Sequence, residues 1–76
     1  MKDLIESIAK QLVDDPSQVS VSEIDEGGRV RIELKVAKED MGKIIGKRGR
    51  NADAIRYIIM AASAKLRKRF TLEILE

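Results

Sequence analysis

The stretch Gly42-Lys43-Ile44-Ile45-Gly46-Lys47-Arg48-Gly49-Arg50-Asn51-Ala52-Asp53-Ala54-Ile55 decides the reading of this chain. Its glycines and cations suit contact with phosphate, but two common phosphate-binding patterns fail on it. A Walker loop needs four residues between its first glycine and Gly-Lys-Ser/Thr. Here three residues separate Gly42 from Gly46, Arg48 follows Lys47, and no hydroxyl is present to hold magnesium. The dinucleotide fingerprint Gly-x-Gly-x-x-Gly is missing, and the stretch follows a predicted helix rather than a strand. What is present is an apolar pair, Ile44-Ile45, then two glycines enclosing two cations, then an apolar residue, Ile55, within the next helix. Glycines let the main chain approach a sugar-phosphate backbone with no Cβ in the way. A helix starting just beyond Gly49 turns its positive dipole end toward the same anion. Lys47 and Arg48 supply charge there, and Lys43 and Arg50 extend the basic rim.

Working outward, Glu39 to Ile45 reads as a short helix with acids at its start, which suits the helix dipole. Arg50 to about Arg69 reads as a long helix, its last turn loaded with Lys65, Arg67, Lys68 and Arg69. Upstream, Leu4, Ile5, Ile8, Ala9, Leu12 and Val13 recur at helical spacing and predict an amphipathic helix over residues 2–14, ended by Asp14-Asp15-Pro16-Ser17. Gln18 to Asp25 and Arg29 to Ala37 read as strands of a hairpin turning at Glu26-Gly27-Gly28. The second alternates cleanly, with Val30, Ile32, Leu34 and Val36 facing one way and Arg29, Arg31, Glu33 and Lys35 the other. The first alternates less well and leaves its register open. Phe70, Leu72 and Ile74 alternate with Thr71, Glu73 and Leu75 as a closing strand. The order α-β-β-α-α-β predicts a single α+β domain over residues 1–76, a three-stranded sheet with its apolar face covered by three helices.

Composition narrows the function. The 76 residues suffice for one small domain. There is no cysteine and no histidine, which removes disulfides, thiolate chemistry, zinc fingers and imidazole catalysis. Asp53 and the other acids have no partner carboxylate or ligand set, so neither an enzyme nor a cofactor, metal or small-molecule site is expected. The start of the chain lacks an apolar leader, and no later run could span a bilayer, so a cytoplasmic protein is expected. Residues 1–38 carry six basic and eight acidic side chains, whereas residues 39–76 carry nine and five. The basic half is therefore the half that contains the glycine turn, and between Gly42 and Phe70 the only acid is Asp53.

On Ile44-Ile45-Gly46-Lys47-Arg48-Gly49-Arg50, with Ile55 beyond, the whole chain resembles a type II KH domain, and its size and start resemble the stand-alone bacterial KhpA family. The resemblance implies single-stranded RNA as partner, with the glycine turn clamping the backbone of about four nucleotides and Gly46, Lys47, Arg48, Gly49, Lys43, Ile45 and Arg50 as the binding set. It also implies an aliphatic groove for the bases, with Met41, Ile44 and Ile45 and either Val30 or Ile32 as candidates for its lining. Many KH domains carry a larger aliphatic residue where this chain has Ala52, which leaves the shape of that groove open. With one Tyr and one Phe, aromatic stacking cannot be its main contribution. An RNA chaperone or post-transcriptional regulator is the function implied.

The long helix holds more apolar residues than one face requires. Ala52, Ile55, Ile59, Ala62 and Leu66 form a stripe that should pack on the sheet. Tyr57, Ala61 and Ala64 lie opposite, flanked by Ile58 and Met60, and read either as ordinary exposed residues or as a helix-to-helix dimer contact made by Tyr57, Ile58, Ala61 and Ala64. Resemblance to the KhpA family favours the contact, as a homodimer or with a larger KH-containing protein. A dimerisation adaptor with a vestigial loop is the competing function, against which the two cations between the glycines argue. Nothing in the residues separates RNA from single-stranded DNA.

Overall fold

A computed structural model describes all residues, 1–76. Helix α1 (Lys2–Leu12) leads through a 3-10 turn at Pro16–Gln18 into strands β1 (Ser20–Asp25) and β2 (Arg29–Lys35). A second 3-10 turn, Lys38–Asp40, precedes α2 (Met41–Ile45). A third, Lys47–Gly49, joins α2 to α3 (Arg50–Leu66), and β3 (Arg69–Leu75) closes the chain. No helix is long and apolar enough to cross a membrane.

The sheet order is β1-β2-β3. β1 runs antiparallel to β2, with Val21 opposite Leu34, and β3 runs parallel to β2, with Ile32 opposite Leu72 and Leu34 opposite Ile74. Parallel neighbours need a crossover, and here the crossover is α2 and α3 together. Ile5 and Ala9 of α1, Ile32 and Leu34 of β2, Ile44 of α2, and Ile55 and Ile59 of α3 form the core on one face. The opposite face is polar: Arg31 lies 3.5 Å from Glu26 and 3.0 Å from Glu73, and also pairs with Glu33. The hydrogen bond to Glu73 leads the effects that raise its pKa.

The register of β1 explains its poor alternation. Val21 and Glu23 share the face that meets the helices, because Glu23 lies opposite Ile32. Its carboxylate accepts a 2.9 Å hydrogen bond from the Lys2 amide, serving one of the unpaired amides that begin α1. Asp40 is the buried charged residue, and its two carboxylate oxygens accept from the Asp14 and Asp15 amides at 3.3 and 3.1 Å. This fixes the end of α1 against the start of α2.

Three helix bounds differ from expectation. α2 begins at Met41 rather than Glu39, because Lys38–Asp40 forms a 3-10 turn ahead of it. α1 stops at Leu12, with Val13 already extended. α3 stops at Leu66, because Arg67 adopts φ 54°, ψ 39° and turns the chain. Arg67, Lys68 and Arg69 therefore lie beyond the helix instead of in its last turn. Leu66, expected on the packed stripe, is 54% exposed, since the helix ends as it passes the edge of the core.

Candidate nucleic-acid interface

The glycine turn is built from the end of α2. Gly46 caps that helix by donating its amide to the Gly42 carbonyl at 2.8 Å, with φ 77° and ψ 172°, a region in essence reserved for glycine. The Gly49 amide then donates to the Gly46 carbonyl at 3.0 Å. Arg48 and Gly49 follow one another in left-handed geometry at φ 59° and 74°.

The two glycines serve different ends. A Cβ at Gly46 would stand 2.6 Å from the Asn51 side chain, whereas a Cβ at Gly49 would meet nothing within 4 Å. Gly46 is thus packed from within, and Gly49 is the position that leaves the backbone open from outside. Asn51 has a role that its bare sequence context did not show. Its Nδ2 donates to the Lys43 carbonyl at 2.8 Å, so the side chain braces the turn against the last turn of α2. The available signal was an Asn in the first turn of a helix behind a glycine, since short amides readily bond to nearby backbone.

Lys47, Arg48 and Arg50 are exposed and enter none of the ion pairs of the molecule. Lys43 stands apart from them. Its ammonium is 3.0 Å from Asp14 and 3.9 Å from Asp40, and the hydrogen bond to Asp14 raises its pKa. It is spent on the α1 side of α2 and is already partly neutralised.

Beside the turn runs a groove of about 410 Å³, lined by Met41 and Ile45 of α2, Gly49, Ala52, Asp53 and Arg56 at the start of α3, and Leu72, Glu73 and Ile74 of β3. Ile45 is 41% exposed and forms one wall. Ala52 is buried and its small side chain belongs to the floor. Ile44 and Ile32, offered as lining, are fully buried in the core, and Val30 lies at the far end, near Met1 and Phe70. The strand that forms the groove is β3 rather than the second strand, because β2 is central and β3 is the edge. Asp53 lies 3.7 Å from Arg56, which reduces the negative charge within the groove.

A family model described as the KhpA/KhpB KH domain matches residues 2–74. The chain belongs to this family. Its KH domain is 56% identical over 75 residues to RNA-binding protein KhpA of Clostridium acetobutylicum, covering 99% of this chain and all of that one. It is 50% identical over its full length to RNA-binding protein KhpA of Halalkalibacterium halodurans, again covering all of the relative. The corresponding protein of Aquifex aeolicus is 49% identical over the whole chain and 96% of its own length. Among solved structures, the KH domain matches a point variant of Aquifex aeolicus Era bound to GDP and aluminium fluoride, with a TM-score of 0.60 and 19% identity, over 97% of this chain and 29% of that one. That likeness concerns the fold.

Proposed function

We propose that the chain binds single-stranded RNA, the backbone held at Gly46-Lys47-Arg48-Gly49 and the bases seated in the groove of Met41, Ile45, Ala52, Leu72 and Ile74. The observation that carries the reading is a backbone open at Gly49 beside two exposed, unpaired cations, at the mouth of an aliphatic groove. Membership of the KhpA/KhpB KH-domain family, and similarity to relatives that are RNA-binding proteins, support it. The edge of β3 adds main-chain groups that can bond to base edges, as in other sheet-edge recognition. Lys47, Arg48 and Arg50 form the cationic rim, and Lys43 contributes less because Asp14 already holds it. Neutralising ~3 phosphates gives a log–log salt slope of roughly −2 for a single strand. An RNA chaperone or regulator of weak sequence preference is the role that such backbone-dominated binding fits.

Lys47→Asp with Arg48→Asp tests this. Both side chains are exposed, so the thermal midpoint should hold while binding of single-stranded RNA is lost. A folded double variant with an unchanged dissociation constant removes the loop from the function.

A second reading rests on α3. Tyr57 is 68% and Met60 61% exposed, and Ala61 and Ala64 lie exposed beside them. Small residues around an aromatic anchor suit close contact between two such helices, so self-association through this face, or pairing with a second KH-containing chain, complements RNA binding. Ile58 is half-buried and would belong to the rim of that contact.

A further inference from the structure

A second and larger concavity, of about 540 Å³, lies between the C-terminal half of α3 and the N-terminal half of β3. Ile59, Met60, Phe70 and Leu72 give it an apolar wall, and Arg29, Arg56, Lys68 and Arg69 surround it. Arg56 and Leu72 also line the groove beside the glycine turn. The two hollows therefore share a wall and lie end to end as a trough along the α3–β3 edge, from Gly49 at one end to Arg69 at the other.

The far end carries an unbalanced charge. Arg29 and Arg69 are direct partners in the parallel ladder of β2 and β3; they stand with Arg31 on the sheet face away from the helices and reach the rim of the hollow around its edge, and like charges so placed repel. Neither enters an ion pair, and neither does Lys68. Two residues along, Arg31 is held by Glu26, Glu33 and Glu73. Acids thus compensate the neighbouring cation and leave these three unmatched around an apolar hollow. From Ile74, which lines the groove beside the turn, to Arg69 the strand spans about 16 Å, at ~3.3 Å per residue, so this cluster lies beyond a Debye length from that end of the groove at physiological salt.

We propose that this trough is a continuous RNA track, and that Arg29, Lys68 and Arg69 capture backbone phosphates beyond the nucleotides held at the turn. The proposal rests on the RNA-binding reading above. Continuity with that groove and the match of three free cations to a polyanion favour the same strand of RNA as occupant. Bases of the extended strand would lie against exposed Met60 and half-buried Phe70, where apolar contact is sequence-tolerant.

Titrations with a single-stranded RNA of about four nucleotides and one of about eight, at several salt concentrations, test the track. Arg69→Glu sets a carboxylate opposite Arg29, which preserves the fold and removes both cations from the ligand. Lys68→Ala is a milder second variant. Arg69→Glu should weaken the longer RNA roughly fivefold, as the loss of two exposed ionic contacts implies, and flatten its salt slope by about 1.4. Affinity for the shorter RNA should not change. If both variants bind the longer RNA as the wild type does, the track is wrong and the loop reading stands. If Lys47→Asp with Arg48→Asp still binds both lengths while Arg69→Glu weakens the longer as expected, the track stands and the loop reading falls. Wild-type protein that binds neither length overturns both.

Discussion

Gly46 and Gly49 look interchangeable as letters and differ as positions. Alanine at Gly46 would combine a glycine-only backbone geometry with a Cβ 2.6 Å from the Asn51 side chain, whereas alanine at Gly49 faces open space in an αL conformation. Gly46→Ala should therefore lower stability by about 2–4 kcal/mol and Gly49→Ala by about 1 kcal/mol, read as shifts in urea midpoint. Equal losses would show that Asn51 does not brace the turn. The glycines and the cations between them were legible because their identities alone carry the chemistry. Asn51 was not, since its role exists only once α2 and α3 stand at the angle that brings its amide to the Lys43 carbonyl. Lys43 was legible only in part, for the same reason: its charge is visible in the sequence, but its partner, Asp14, comes from the end of another helix.

At the scale of elements, period and punctuation gave the order of helices and strands, and the boundaries followed tertiary contacts. The end of α3 shows why. No glycine marks it, yet Arg67 takes the left-handed cap position and the Lys68 amide reaches back to the Ser63 carbonyl at 3.2 Å. Glycine is the residue that this geometry favours, so Arg67→Gly should raise stability by about 1 kcal/mol, seen as a higher thermal midpoint. A lower midpoint would mean that the Arg67 side chain supports the fold in some other way. β1 looks irregular in sequence because Glu23 occupies an inward position to serve the start of α1, a need that no strand pattern encodes. Strand order was equally silent: alternation reveals which residues of β2 and β3 face inward, but not that β3 forms the edge and hence the wall of the groove.

At the scale of the molecule, the exposed stripe of α3 borders the trough, because Met60 lines the concavity one residue from Ala61. A dimer through Tyr57, Ala61 and Ala64 would thus set two troughs beside a shared seam, and a longer RNA could engage both with an avidity that neither has alone. Sedimentation of the free protein should show a dimer that Ala61→Asp converts to monomer, with weaker binding of long RNA and unchanged binding of short RNA. Monomer alone at high concentration would remove this contact.

The parallel ladder has a further consequence for folding. Each residue of β2 pairs with one forty positions later, from Arg29 with Arg69 to Lys35 with Leu75, and α2, the glycine turn and α3 fill the interval. Closing so long an interval is slow relative to forming a hairpin or a helix, so β1–β2 and α3 can form early while β2–β3 docks late. The turn acquires its working geometry only within that closed interval, between two helices already packed on the sheet. A ligand that recognises the finished turn binds the native state and not its precursors, and mass action then raises the melting temperature as ligand is added.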